Sequence, residues 1–396
     1  MCVEFYVKNG LRYIRPYYTT RTVSAKGRWF GKTLIDVLSS EFKSYTREEY
    51  IRRVQLGNDF QLMRNGLSLD PFCDPIRSGD TLIVRQHRHE PPVKQWCSPP
   101  DLELMQNDTS QRVAGMDIVF EDESILVINK PAGIPVHPTG QFYKNTVTEI
   151  LADHNRIVHP CYRLDKVTSG LLILSKDSKI ASTIQTKISS SKMNKLYLAR
   201  VRGKFPRCTQ ALVGVTQPEN LNRDTAIVHG SPIYNIEPKR GFPAGLQPSR
   251  EATTLFFPFR YIPETDESVV VCKPLTGRTH QIRIHLLRMG FPISNDSLYC
   301  PEISQYPKRL DFVRSIRKWE DENDADIKGR FGEVLQEFES AKNLKLWEEN
   351  GRCSECGTIE MLSPREGQLE LWLHAWRYWD DENNFVFETP LPSWVS

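Results

Sequence analysis

An arginine and a carboxylate one residue apart could place a cation and an acid in the same cleft. Arg163 and Asp165 flank Leu164 and are followed by the turn Thr168-Ser169-Gly170. In an extended segment the two charged side chains point to one side and Leu164 points to the other, where it could anchor the loop. The alternative interpretation is a surface ion pair ahead of a core strand, and the short motif alone does not decide between them.

Further polar residues lie in turns on both sides of this motif. Lys130 sits in Asn129-Lys130-Pro131-Ala132-Gly133, and it could reach a phosphate or belong to a rigid turn. Arg278 and Thr279 lie on a turn predicted to open a helix, where backbone N–H groups and cations favour anions. Arg283 follows about one helical turn further in, so it could pair with a buried carboxylate.

Apolar segments predict the elements that must hold these residues in place. Buried strands are expected at 125–128 and 171–174, because both are short, continuous apolar runs. A strand over 193–201 carries Tyr197, and another is expected at 269–274. Helices are expected near 146–154 and 180–191. The chemistry-bearing residues therefore lie on loops and strand ends around a β-scaffold.

Three of these segments resemble the motifs of RluA-type pseudouridine synthases. The stretch from Tyr162 to Gly170 is similar to their catalytic loop (H)RLDxxTSG, with Tyr162 in place of the usual His. Residues 129–138 resemble "NKPxGxxVHP", and residues 275–299 resemble "LTGRTHQIRxHL…GxPIxxDxxY". Tyr197 matches the active-site tyrosine of a KxY pattern. With the C-terminal segments, the resemblance covers about residues 115–300 and the end of the chain.

The resemblance implies an α+β catalytic domain with a mixed or antiparallel sheet and flanking helices. It also implies isomerisation of a uridine that is first flipped out of its stack. Asp165 would stabilise the sugar's positive charge, attack it or take a sugar proton; the sequence leaves these open.

The resemblance also assigns roles to the residues around Asp165. Arg283 would hold Asp165 ionised, because a nearby cation lowers the pKa of an acid, and Tyr197 would stack on the detached uracil. Arg163 would fill the gap left by the flipped base or bind phosphate. Lys130, Arg278 and Thr279 complete the predicted RNA contacts. This chemistry requires no cofactor or metal.

The front of the chain is basic and suggests contact with a polyanion. Residues 1–90 hold 15 Lys and Arg against 10 Asp and Glu, whereas the whole chain has a net charge of only +3. Two predicted helices, the second carrying Arg47, Arg52 and Arg53, precede an Asn65-Gly66 turn and a strand. This order resembles an S4-like RNA-binding module over about residues 30–88. A small α+β domain without a ligand is the alternative.

These patterns divide the chain into three parts. We predict an S4-like domain with an N-terminal extension over 1–90 and a Pro-bearing linker over 91–115. A catalytic domain over 116–396 would carry a charged helical insertion at about 301–350. No apolar run reaches the length of a membrane span, and nine scattered cysteines fit reduced thiols. We expect a cytoplasmic protein without membrane contact, with the nucleus and the mitochondrion as additional locations. We also expect a monomer.

One cysteine pair has the spacing of zinc ligands. Cys353 and Cys356 are two residues apart, but no second CxxC or HxxxH motif lies nearby in the sequence. Cys300 or His374 could complete a site only through the fold, and we predict no metal. A zinc-dependent base deaminase is disfavoured, because no His in the chain has Glu two residues on.

The branch of the family determines the expected substrate. The catalytic motifs together with the S4-like front end resemble the eukaryotic enzymes that modify uridines of the tRNA anticodon stem-loop. The expected partner is therefore RNA, and tRNA in particular. The alternatives are a pseudouridine synthase acting on rRNA or mRNA, and a non-catalytic RNA-binding or chaperone protein on the same scaffold.

Overall fold

A computed structural model describes most of the chain. The described residues are 4–42, 46–55, 59–97, 108–190, 192–206, 221, 223–238, 241, 244–316, 324–347, 351–358, 363–380 and 385–395.

The N-terminal part forms two small sheets and a pair of helices. One sheet has the strand order β1-β2-β7 and the other has the order β3-β6-β4-β5. The elements are β1 (Phe5–Lys8), β2 (Leu11–Ile14), β3 (Tyr17–Ser24), α1 (Leu34–Glu41), α2 (Arg47–Gln55), β4 (Phe60–Arg64), β5 (Leu67–Ser68), β6 (Thr81–Arg88) and β7 (Val93–Lys94).

Local signals in the sequence explain the helix starts and the hairpin of this part. Thr33 accepts a hydrogen bond from Asp36 N at 3.3 Å, and Thr46 accepts one from Glu49 N at 3.3 Å, so both helices begin at a capping threonine. Asn65 and Gly66 adopt left-handed φ angles of 49° and 81° and form the β4–β5 turn. The predicted order of helices and strands is confirmed. The S4-like assignment stays a prediction.

Residues 91–97 and 112–114 of the expected linker pack against the rest of the protein, and the domain bounds stay a prediction. Val93 is fully buried in the main core, the cluster that also contains Leu126, Val127 and Leu164, and β7 pairs with β2. The buried carboxylate of Glu90 accepts backbone hydrogen bonds from Tyr143, Lys144 and Asn145 at 2.8–2.9 Å. Residues 98–107 of the predicted linker lie outside the described residues. The segment after β6 is therefore packed onto the predicted catalytic part.

The predicted catalytic part, from β8 onward, is built on one 11-stranded sheet. Its strands follow the order β14-β15-β16-β13-β17-β12-β10-β9-β8, with β11 beside β12 and β18 beside β17. The β12–β17 pair is parallel and the other recorded pairs are antiparallel, so the predicted mixed α+β fold is confirmed. The strands are β8 (Arg112–Val113), β9 (Met116–Glu121), β10 (Ile125–Lys130), β11 (His159–Pro160), β12 (Ser169–Ser175), β13 (Asn194–Arg202), β14 (Ile227–Gly230), β15 (Thr253–Ile262), β16 (Glu267–Pro274), β17 (Leu373–Asp380) and β18 (Phe385–Glu388).

Helices cover this sheet and extend beyond it. The residues of β12 are buried from Gly170 to Ser175, which explains the unbroken apolar run.

The predicted insertion contains two helices, in which Phe331 and Val334 pack with Phe312 in a separate core cluster. Among the described residues, no helix has both the length and the apolar character needed to traverse a lipid bilayer. The helices are α3 (Val147–Asp153), α4 (Ser178–Ser189), α5 (Gln281–Arg288), α6 (Pro307–Ser315) and α7 (Asp324–Trp347).

Candidate active site

The loop between β11 and β12 presents Asp165 to solvent. Leu164 is 7% exposed and packs in the main core, whereas Arg163 is exposed. The Asp165 side chain retains 33% of its accessible surface. The prediction that Leu164 anchors the loop is confirmed, and a cleft shared by Arg163 and Asp165 stays a prediction.

Gly170 allows the start of β12 to lie against β17. Its φ is +108°, and a Cβ there would come within 2.2 Å of the carbonyl oxygen of Ala375. Any larger residue would therefore push the two strands apart. The Asp165 loop is fixed at this end by a backbone contact that a side chain would destroy.

Two side chains from the 275–299 motif reach the Asp165 carboxylate. Arg283 Nη1 donates to Asp165 Oδ2 at 3.2 Å, and His280 Nε2 lies 3.5 Å from the same oxygen. Arg283 is in the first turn of α5, and His280 immediately precedes that helix. The predicted pairing of Arg283 with Asp165 is therefore present in the structure.

Arg283 is held by a second, deeper carboxylate. Its Nε and Nη2 donate to Asp296 Oδ2 and Oδ1 at 2.7 and 2.8 Å, a two-pronged pairing between buried groups. Asp296 also accepts from the backbone N–H groups of Leu298 and Tyr299. The guanidinium is thus fixed on Asp296 with one donor left to face Asp165.

The charges around Asp165 favour its ionised form. Burial opposes ionisation, but attraction to Arg283 and, in acid, to protonated His280 outweighs it, so the pKa of Asp165 lies below its usual value. Burial lowers the pKa of His280 to about 4, so this imidazole is neutral near pH 7. Arg283 is therefore the cation that keeps Asp165 ionised at that pH.

The sequence reasoning missed the part played by His280. Its backbone is left-handed, with φ at 56°, which is uncommon for a residue with a side chain. Nδ1 lies 2.9 Å from the Tyr299 hydroxyl, which directs Nε2 towards Asp165. The signal was present, because His280 and Asp296 both stand in the motif that suggested Arg283.

Aromatic side chains lie beside the carboxylate. The Tyr197 hydroxyl is 2.6 Å from the Tyr378 hydroxyl, and the Tyr162 ring centroid is 5.3 Å from that of Tyr378. Burial chiefly raises the pKa of Tyr197 to about 12, and the Asp165 charge acts in the same direction, so the phenol stays protonated. Tyr378, which sequence reasoning missed, fixes Tyr197 from the opposite strand.

Lys130 lies inside the protein, and its contact with RNA stays a prediction. The side chain is fully buried, and Nζ donates to the carbonyl oxygens of Pro131, Ile134 and Lys166 at 2.8, 2.9 and 3.3 Å. Burial lowers the pKa of Lys130 to about 7. Lys130 joins its own turn to the residue after Asp165, which agrees with the alternative of a rigid turn.

Arg278 and Thr279 lie on the turn before α5, as predicted. Thr279 is exposed, and Arg278 is half-buried with Nε 3.2 Å from the carbonyl oxygen of Glu251. Both line a cavity of about 130 Å³ that also includes Arg250 and Tyr234. Their contact with RNA stays a prediction.

The three arginines of α2 differ in how accessible they are. Arg47 pairs with Asp36 and keeps 50% of its side-chain surface, and Arg52 pairs with Glu49 and keeps 56%. The Arg53 side chain is only 11% exposed and bonds to Glu49 and Asp59. Their RNA-binding role stays a prediction, for which Arg47 and Arg52 are the accessible candidates.

The geometry suits chemistry at a sugar carbon. An ionised carboxylate that solvent can reach stands beside a buried cation and a protonated phenol. Such a carboxylate can stabilise or attack a carbon that develops positive charge, or accept a proton from it. The described residues thus supply the anion and the aromatic surface that cleavage of a nucleoside bond needs.

Comparison with known proteins identifies the class. The RNA pseudouridylate synthase family matches residues 124–288. The chain is 50% identical to "tRNA pseudouridine(31) synthase" of Saccharomyces cerevisiae, over 99% of this chain and 97% of that protein. It is 32% identical to "tRNA pseudouridine(32) synthase, mitochondrial" of the same yeast, over 99% of this chain and 78% of that protein. The chain belongs to the RNA pseudouridylate synthase family.

A solved structure shows a more distant likeness. Human RNA Pseudouridylate Synthase Domain Containing 1 has 17% sequence identity and a TM-score of 0.40, covering 72% of this chain and 86% of that chain. The family assignment rests on the sequence relatives.

Proposed function

We propose that this chain converts a uridine in the anticodon stem-loop of tRNA to pseudouridine, with Asp165 as the catalytic carboxylate. Relatives of 50% and 32% identity are named for tRNA positions 31 and 32, and the first is similar over nearly its whole length. Position 31 is therefore the first uridine to test.

The observation that carries this proposal is the setting of Asp165. Its carboxylate is partly exposed, while the arginine that holds it ionised is buried and fixed on Asp296. Because the cation is positioned before substrate arrives, no reorganisation is needed when positive charge develops on the sugar. Arg283 is a positioning residue for Asp165, and its low exposure keeps it from pairing with phosphate instead.

The reaction changes the atom through which the uracil base is attached to its sugar. The bond from uracil N1 to the sugar C1′ breaks, the base rotates, and a bond from C5 to C1′ forms. The proton on C5 leaves to solvent, and N1 gains a proton, so the overall composition is unchanged. Asp165 acts at the sugar during the first bond cleavage, and the same charge is available when the new bond forms.

The neighbouring side chains hold the flipped nucleotide. Tyr197 is protonated and fixed by Tyr378, so its ring offers a rigid surface on which the detached uracil can stack. Arg163 is exposed beside Asp165 on the outer face of the loop, where it can occupy the gap in the RNA stack or bind a phosphate. Flipping costs about a few kcal/mol, which such contacts offset.

Replacement of Asp165 tests the catalytic assignment. Asp165→Asn preserves the shape of the side chain and removes its charge, so release of tritium from C5-labelled uridine in a tRNA transcript should stop while RNA binding persists. Asp117→Asn is the matched control, because Asp117 is an exposed carboxylate paired with Arg112. Turnover by Asp165→Asn within tenfold of wild type would remove Asp165 from the mechanism.

Altered substrates test the RNA assignment separately. A tRNA transcript with cytidine at position 31 should release no tritium, and a transcript with cytidine at position 32 should react normally. Release from rRNA or mRNA fragments but not from tRNA would refute the substrate and retain the enzyme class. Tight binding with no release from any RNA would favour the non-catalytic alternative.

We also infer that the protein works as a monomer in the cytoplasm. Cys73, Cys161, Cys272 and Cys300 are not joined in disulfides, which suits a reducing compartment. Light scattering during size exclusion and imaging of a tagged chain would check mass and location. A dimer, or a tag confined to the nucleus or mitochondrion, would contradict the corresponding inference.

A further inference from the structure

Four potential metal ligands from distant parts of the chain meet at one place. They are His87 in β6, His89 just after it, and Cys353 and Cys356 from the segment that follows α7. One ligand atom from each residue lies within 4.8 Å of the corresponding atoms of the other three. The two pairs are more than 260 residues apart in sequence, with separations of 266 and 267 between contacting members.

Local backbone structure turns each pair towards the other. His87 and His89 are two residues apart in extended chain, which places both imidazoles on one side, with ring centroids 4.8 Å apart. Cys353 and Cys356 lie on a tight turn, closed by hydrogen bonds from Cys353 N to Thr358 O and from Gly357 N to Cys353 O, both at 2.9 Å. Each pair is therefore presented as a preformed two-ligand unit.

The separations between donor atoms fit a shared ion. Cys353 Sγ lies 3.5 Å from His87 Nδ1, and Cys356 Sγ lies 3.3 Å from His89 Nε2. In a tetrahedral zinc site with ordinary bond lengths, a nitrogen and a sulfur ligand are about 3.6 Å apart. The cross-pair distances are therefore close to those of ligands around one ion.

The surroundings of His87 support the same interpretation. Its side chain is 5% exposed, and the Tyr18 ring stacks on it at 4.5 Å between centroids. Nδ1 faces Cys353, while Nε2 lies 3.9 Å from a carboxylate oxygen of Glu355. Metal-bound histidines commonly present their second ring nitrogen to a carboxylate, which orients the ring. Here that carboxylate comes from the Cys-Ser-Glu-Cys turn itself.

We infer that His87, His89, Cys353 and Cys356 bind one structural zinc ion. Two thiolates and two imidazoles at tetrahedral spacing are a donor set typical of zinc. Four protein ligands leave no open position for a substrate, so the ion stabilises the fold and takes no part in catalysis. Sequence analysis weighed Cys300 and His374 as partners of the cysteines and predicted no metal, but the fold brings His87 and His89 to them.

The zinc ion joins the N-terminal part to the catalytic part. One ligand pair stands at the end of β6, and the other follows the inserted helices. Arg53 of α2 donates to the carbonyl oxygen of Cys356 at 3.3 Å, so the helix pair also contacts the cysteine turn. The site therefore fixes the N-terminal helices to a segment at the far end of the chain.

Metal content of the full-length protein tests the inference. Protein purified without an affinity tag from zinc-supplemented cells should contain about one zinc per chain by mass spectrometry. The Cys353→Ser/Cys356→Ser double variant should contain less than a tenth of that. Cys73→Ser is the matched control, because Cys73 is an exposed free cysteine outside the cluster.

A cobalt experiment keeps the test decisive if the double variant does not fold. Wild-type protein stripped with a chelator and reloaded with Co²⁺ should show the intense visible bands of a tetrahedral ion and a thiolate-to-cobalt charge-transfer band. Wild type without stoichiometric zinc and without these bands would overturn the proposal. Full zinc content in a folded double variant would overturn it equally.

Discussion

Two carboxylates share Arg283, and neutralising them should have different consequences. Loss of the Asp296 charge should lower the stability, whereas loss of the Asp165 charge should abolish activity and leave the stability nearly unchanged. Asp296 is completely buried and makes two hydrogen bonds to the guanidinium, whereas Asp165 makes one and is 33% exposed. Asp296→Asn leaves the buried cation without its main partner, which typically costs about 3–5 kcal/mol of unfolding free energy. Asp165→Asn removes a partly solvated contact, for which about 0–1 kcal/mol is expected.

Chemical denaturation and single-turnover kinetics on the same variants measure both effects. Asp165→Asn should unfold at nearly the wild-type urea concentration and be inactive. Asp296→Asn should unfold at a clearly lower concentration and, where folded, should turn over slowly because Arg283 is no longer fixed. If Asp296→Asn lost less than about 1 kcal/mol, the deep pair would not be what holds Arg283. An equal stability loss in both variants would refute the separation of a structural from a catalytic carboxylate.

Three further predictions follow from the structure. Gly170→Ala should lower the free energy of unfolding by about 3 kcal/mol or more and remove most of the activity, because the new Cβ would meet the Ala375 backbone. In the control Gly140→Ala, where φ is +54° and no atom lies within 4 Å, the loss should be about 1–2 kcal/mol. Equal losses in the two variants would contradict the close approach of Gly170 to Ala375. The pKa of Lys130 is about 7 in the folded protein and 10.5 in the unfolded chain. Between these values the unfolded chain binds more protons than the folded protein, so the free energy of unfolding should rise with pH. Wild type should therefore gain about 2 kcal/mol over Lys130→Met between pH 7 and pH 9 in urea titrations, and parallel pH dependences would refute the assignment. The Arg47→Gln/Arg52→Gln double variant should reduce the slope of log binding constant against log salt concentration for tRNA by about two phosphate contacts. Arg53→Gln should instead lower the midpoint of unfolding. An unchanged slope in the double variant would refute the RNA-binding role of α2.

The features predicted correctly from the sequence are those that depend on neighbouring residues. The buried run of β12, the two helices before the Asn65-Gly66 turn and that turn itself all follow from short-range rules. The anchoring role of Leu164 could be predicted because side chains alternate in direction along an extended segment. Only the three residues from Arg163 to Asp165 are needed to see which side chain points inward. The pairing of Arg283 with Asp165 was also predicted, through the resemblance of two separate motifs.

The remaining features depend on contacts that sequence spacing does not show. Lys130 lies in a motif rich in exposed turn residues, yet three carbonyl oxygens from two loops draw its ammonium inward. The predicted linker contains Val93, which lies opposite Arg12 in a strand pair that joins positions about 80 residues apart. The two ligand pairs of the proposed zinc site become neighbours only after the N-terminal sheet and the inserted helices are in place.

The parallel pairing of β12 with β17 sets a time at which the enzyme can become active during its synthesis. Ser169 lies opposite His374, 205 residues later. A ribosome adding about 5–20 residues per second takes about 10–40 s to make the intervening chain. Throughout that interval the Asp165 loop lacks the strand against which Gly170 packs, and the apolar β12 has an open edge. A nascent chain thus carries Asp165, the proposed catalytic carboxylate, long before its loop is complete, and chaperones have that interval in which to protect the open edge of β12.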